Sequence, residues 1–97
     1  MQFEWDEQKN RENIRRRGLD FSDAWRLFDE PMLTALDTTE GYGEDRFVGV
    51  GFLKDIVAVV AYSEPRENTI RIISLRKANK HERQRFEKAL NNALGKG

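Results

Sequence analysis

Apolar positions along the chain recur with two different periods, two residues and three to four, and the switches between them outline the elements. Phe3-Glu4-Trp5 alternates and predicts a short first strand at a sheet edge. Asp6 is placed to cap a helix "EQKNRENIRRR" that ends at Gly18, a residue suited to a left-handed C-terminal position. Ile14 is the one aliphatic residue of that helix, so it is expected to lie shallowly on the body. Asp20 caps a second helix whose Phe21, Ala24, Trp25 and Phe28 follow i, i+3, i+4, i+7 spacing, with Trp25 read as core and Pro31 closing the segment.

Strand periodicity then takes over. Met32 to Asp37 reads as a strand and "TTEGYGED" as an acidic, glycine-rich loop. Arg46 to Leu53 places Val48, Val50 and Phe52 on one face, with Gly49 and Gly51 leaving room for a neighbour on the other. Lys54-Asp55 turns into the near-continuous apolar run Ile56 to Ser63, a central strand. "SEPREN" turns into Thr69 to Arg76. Asn79 and Glu82 form a capping-box pair for a last helix with Phe86, Ala89, Leu90, Ala93 and Leu94 on its core face. The order β-α-α-β-β-β-β-α with short turns predicts an α+β fold: an antiparallel sheet, two N-terminal helices and one C-terminal helix. At 97 residues the chain is expected to form one domain spanning 1–97.

Composition narrows the chemistry. There is no cysteine and a single histidine, which excludes disulfides, thiolate zinc sites, cysteine nucleophiles and histidine-based metal clusters. The longest apolar stretch, Ile56 to Tyr62, is too short to cross a bilayer, and the opening "MQFEWDEQK" is unlike a signal peptide, so a soluble cytoplasmic protein without a membrane partner is expected. The net charge of zero conceals polarity: residues 20–64 carry three cations against ten acids, and residues 66–97 carry nine against three. Such a basic C-terminal third attracts polyanions, unless the acidic and basic elements neutralise each other across the fold.

The basic residues interrupt an otherwise buried strand. In "TIRIISLRKANKHERQRF", Arg71 splits the apolar run, and Arg76, Lys77, Lys80 and Arg83 follow. Strict alternation puts Arg71 with Ile73 and Leu75 but Arg76 with Ile70 and Ile72, so the two arginines share a site only through a bulge, strong twist or strand-end placement. Without one of these, Arg76 is the functional candidate and Arg71 a structural ion-pair partner. The simplest alternative pairs both with acids such as Glu64, Glu44 or Asp45. Arg66 lies at the opposite end of the strand and is better placed to join Arg71 than Arg76. Trp5, Tyr42 and Tyr62 are candidates for stacking on a base.

Four blocks, "FEWDEQKNRENIRRRG", "FSDAWRLFDEP", "GEDRFVGVG" and "IRIISLRKANKHER", resemble the BrnT family in order and spacing. The resemblance covers Phe3 to about Phe86 and is most specific in the opening "FEWD…K…N" and the "IRIIS-x-R-x-A…ER" segment. It implies a RelE-like ribonuclease toxin of a type II toxin–antitoxin system, which inhibits translation and growth. A BrnA-like antitoxin would neutralise it in a tight complex, a heterotetramer being one stoichiometry, and reach DNA through its own DNA-binding part. Where the family commonly carries Lys-His before the glycine of "KHG", this chain has Arg16-Arg17-Gly18, which keeps charge and loses an imidazole.

The residues fit that role without a cofactor. RNA cleavage without metal needs a deprotonated 2′-hydroxyl, a stabilised phosphorane and a protonated 5′-oxygen, and fixed cations aimed at the developing charge supply much of the rate. Arginine stays charged and grips phosphate through its planar fork. The catalytic candidates are Arg76, Arg71, Arg46 and Lys9, with Glu44, Asp45 or His81 as the base and Glu44 placed foremost. Arg66, Lys77, Lys80, Arg83 and Trp5 are candidates for RNA binding. Two other readings stand beside this one: a non-catalytic basic module that binds RNA or protein, and a dimerisation domain whose arginines bridge acids.

Overall fold

The computed structural model describes residues 1–37 and 45–96; Tyr42 and Glu44 lie outside the described residues. Its elements are β1 (Gln2–Glu4), α1 (Glu7–Arg17), a 3₁₀ turn (Phe21–Asp23), α2 (Trp25–Phe28), β2 (Met32–Asp37), β3 (Arg46–Leu53), β4 (Ile56–Arg66), β5 (Thr69–Lys77) and α3 (Lys80–Asn91). The α+β architecture is the one expected, with a five-stranded sheet in the order β1-β5-β4-β3-β2. β2 to β5 form an antiparallel meander, whereas β1 adds to β5 in parallel, pairing Gln2 with Thr69 and Glu4 with Arg71. Local turn chemistry fixes the meander, but nothing local dictates which edge the N-terminal strand takes.

Each sheet face carries its own core. One buries Ala58, Val60, Tyr62, Ile70, Ile72 and Leu75 beneath Phe21, Ala24 and Leu27. The other packs Val57, Val59 and Ala78 against Phe86 of α3, with Val48, Val50, Phe52 and Leu90 at its margin. Gly49 belongs to the first face: a Cβ there would stand 2.7 Å from Met32 Sδ, so β2 sits as close as the missing side chain allows. The predicted second helix is instead a 3₁₀ turn followed by one α turn. Its buried residues Phe21, Ala24 and Leu27 therefore follow a period of three. Trp25 is turned outward, 43% exposed, beneath the Arg26 guanidinium. Tyr62 is buried between Phe28 and Phe47 and cannot stack on a base. In the last helix the capping box forms as expected, but its buried face stops at Leu90, leaving Ala93 and Leu94 exposed.

How does so polar a helix as α1 stay docked? Asp6 caps it, accepting hydrogen bonds from the Gln8 and Lys9 amides, and Gly18 closes it at φ +73°. Two asparagines then hold it down. The Asn10 side chain is buried; it donates to Asp20 Oδ1 (3.0 Å) and accepts from the Phe21 amide (2.8 Å). Asn13 Nδ2 donates to the carbonyls of Leu19 and Leu75, both at 2.9 Å, while its Oδ1 faces the Leu75 amide at 3.4 Å. β1 covers β5 only as far as Arg71, and beyond it the Asn13 amide takes the place of the missing strand at Leu75. α1 thus lies shallowly, as expected, with Ile14 exposed, and it is held through hydrogen bonds. Asn13→Ala leaves these backbone groups without partners and should lower unfolding stability by about 2 kcal/mol in urea denaturation. Asn13→Asp, which cannot donate, should fail to restore it, and a change within 0.5 kcal/mol would contradict this account of the docking.

Candidate functional site

Two register shifts in the β4–β5 ladder decide where the arginines point. Ala61 pairs with Ser74 and Tyr62 with Ile72, so Ile73 is an extra residue on β5. Ile70, Ile72 and Leu75 all consequently reach the first core, and Arg71 and Arg76 both emerge on the opposite face, across from Ser63 and Val59. A second shift, between Ser63 and Arg66, puts the extra residue on β4 near Pro65, a residue that bulges accommodate. Arg66 then opposes Thr69 and comes round to the side of Arg71.

Among the described residues, the carboxylates that hold Arg66, Arg71 and Arg76 are Glu4 and Glu82 rather than the expected Glu64 or Asp45, while the Glu44 alternative lies outside those residues. Glu4 of β1 accepts from both Arg66 and Arg71, the latter at 2.8 Å. The two guanidiniums, Arg66 foremost, lower the pKa of the Glu4 carboxyl. Arg76 makes a two-pronged contact with Glu82 of α3, Nη1 to Oε1 at 2.8 Å and Nη2 to Oε2 at 2.7 Å. Glu82 also accepts from the Asn79 amide at 2.8 Å, so one carboxylate completes the capping box and fixes the arginine. Chiefly through Arg76, its pKa is brought down to about 2, and the Arg76 pKa is raised in turn. A carboxylate so acidic is a weak base near neutrality and serves here as a support.

Lys9 joins the two arginines. It lines a cleft of about 520 Å³ with Trp5, Glu4 and Arg71, and also the adjoining cleft of about 390 Å³ that contains Arg76, Ser74, Arg16 and Arg17. Trp5 is half-buried, packing on the first core while bordering the cleft. Arg46 shares the sheet face of Arg71: the row Glu4, Arg71, Ser63, Arg46, Asp37 runs in register across all five strands. Two strand spacings put Arg46 about 10 Å from Arg71. Lys77, Lys80 and His81 are exposed where β5 passes into α3, outside both clefts, and Arg83 is partly buried on α3. Arg16 and Arg17 were not among the expected site residues; their spacing from Lys9 on one helix was the available signal. Among the described residues, no three His, Cys, Asp or Glu side chains converge where an ion could sit.

A small α+β domain with clustered cations at a sheet edge is suited to act on a polyanion, and the comparisons with known proteins specify its class. Residues 5–82 match the family model for the ribonuclease toxin BrnT of type II toxin–antitoxin systems. The 1.1 Å crystal structure of the Brucella abortus ribonuclease toxin BrnT matches with a TM-score of 0.65 and 28% identity, over 82% of this chain and 99% of that one. No curated protein sequence matches the chain. The protein is a ribonuclease toxin of the type II toxin–antitoxin class. Within that class the chain belongs to the BrnT family.

The Glu82 contact predicts a pH signature. The folded pKa lies below the ordinary value of 4.5, so the contribution is complete above about pH 4.5 and is lost as pH falls toward 2. The stability difference between wild type and Glu82→Gln, measured by denaturation from pH 7 to 2.5, should shrink across that interval. A difference independent of pH would contradict the assignment.

Proposed function

We propose that the protein cleaves RNA at the face where Arg71, Lys9 and Arg76 meet, without a catalytic metal ion, and thereby inhibits translation and growth. One observation carries the reading: a single lysine borders both clefts, with an arginine of β5 in each. Arg71 and Arg76 are separated by roughly 15 Å of strand, so they hold separate phosphates along a strand rather than clasp one. We place the scissile phosphate at Arg76 and Lys9, where fixed positive charge would stabilise the phosphorane. Arg71 would hold a phosphate farther along the strand, with Trp5 beside a base near it. Glu82 keeps the Arg76 fork oriented while leaving the arginine 38% exposed. Arg46 extends the cationic face across the sheet, and Glu44, two residues before it in sequence, is kept as the foremost candidate base. Arg66, Lys77, Lys80 and Arg83 would steer the backbone through long-range attraction.

The family membership implies an antitoxin. We infer a BrnA-like protein that covers this basic face with acidic and apolar residues in a tight complex, a heterotetramer being one arrangement, and contacts DNA on behalf of both. The chain over 1–97 would act as one RelE-like domain in the cytoplasm. The runner-up, a non-catalytic RNA-binding module, predicts retention without cleavage. Purified protein incubated with RNA in the presence of chelator should yield fragments, and Arg76→Ala should slow cleavage about 100-fold or more. Intact RNA, or growth arrest by Arg76→Ala equal to wild type, would overturn the reading.

A further inference from the structure

The cleft that contains Arg76 holds more positive charge than cleavage at Arg76 and Lys9 requires. On α1, Lys9, Asn13, Arg16 and Arg17 fall at i, i+4, i+7 and i+8 and form one stripe, all lining this cleft. Glu12 also lines this cleft, where its carboxylate is taken up by Arg15; Arg11 and Arg15 themselves lie on the other side of the helix. Asn13 sits within the stripe and is bonded to both backbone groups of Leu75, which fixes the stripe over Ile73 to Arg76 of β5. Among the described residues, none of Lys9, Arg16 and Arg17 pairs with an acid. From Lys9 to Arg17 the helix rises about 12 Å, enough to extend the path beyond the scissile position. Helical polarity keeps Arg16 and Arg17 favourable in the last turn without an anionic partner in the protein.

We propose that Arg16 and Arg17 form a backbone subsite for single-stranded RNA, holding phosphates on the Arg76 side of the scissile one so that the strand lies along α1 and β5. This rests on the ribonuclease reading above. Phosphate contacts of this kind are independent of sequence and sensitive to salt. The subsite contributes binding and alignment, while the chemistry stays at Arg76 and Lys9.

The test measures binding of a 2′-O-methyl oligoribonucleotide, which cannot be cleaved through its 2′-oxygen, to the full chain over a range of salt. Arg16→Gln/Arg17→Gln should weaken binding about tenfold at low salt and make the log–log salt slope shallower by about 1.4, for two lost contacts. Arg16→Lys/Arg17→Lys should retain most of the affinity. The equally charged change Arg11→Gln/Arg15→Gln, on the opposite side of the same helix, should cost less than about threefold. If both glutamine pairs weaken binding equally, or neither does, while wild type still binds and cleaves RNA, the subsite is overturned and the ribonuclease reading stands. If wild type neither binds nor cleaves RNA, that reading falls as well. Loss of antitoxin binding in Arg16→Gln/Arg17→Gln with RNA affinity unchanged would overturn the subsite in favour of a protein interface.

Discussion

One residue more on β5 than on its partner strand determines which way the charged side chains of this protein face. A strand that alternated strictly from Thr69 to Lys77, with Ile70 and Ile72 in the core, would drive Leu75 out of it and Arg76 into it. Burying that guanidinium among Val60, Tyr62 and Phe21 would cost several kcal/mol. The bulge at Ile73 resolves the conflict by keeping Ile70, Ile72 and Leu75 together in one core and turning Arg71 and Arg76 to the same side. A second bulge, near Pro65, does the same for Arg66. Three arginines that alternation would scatter thus share one face, and the catalytic proposal depends on that sharing.

Collecting like charges raises the electrostatic energy, and the fold offsets it from its periphery. Glu4 comes from the parallel edge strand and serves Arg66 and Arg71; Glu82 comes from the first turn of α3 and serves Arg76. Neither belongs to the acid-rich middle of the chain, so among the described residues the carboxylates that orient these three arginines come from outside that block. Because the carboxylates approach from the side and the guanidiniums stay partly exposed, the arginines are both oriented and accessible. The same economy governs α1. Its asparagines hold it by the amide hydrogen bonds of Asn10 and Asn13, which leaves its cationic stripe at the cleft instead of in an apolar interface.

Much of the scaffold is legible in the sequence because local chemistry dictates it. Pro31, the Lys54-Asp55 turn and the Asn79–Glu82 pair mark boundaries that β2, β3 and α3 follow within a residue. Misreadings arise where the choice depends on distant groups. Trp25 fits an α-helical stripe, but the 3₁₀ turn shifts the period to three and brings Leu27 inside. Asn10 and Asn13 read as ordinary polar residues because their partners are the following turn and a strand 62 residues away. The Ile73 bulge has no glycine or proline to announce it; in the sequence it is one of three ways, beside strong twist and strand-end placement, for Arg71 and Arg76 to share a site. Lys9 and Arg76 were legible as cations, but their shared cleft with Arg16 and Arg17 emerges only once Asn13 fixes the helix on β5.

The central claim is that the bulge presents Arg71 and Arg76 to one RNA strand. The most direct test is nitrogen-edited NMR of the arginine Nε–Hε groups during titration with a 2′-O-methyl oligoribonucleotide, with assignments from Arg71→Lys and Arg76→Lys. The account predicts that both resonances move along the same saturation curve. Movement of only one of them, or of neither while the RNA binds elsewhere, would contradict it.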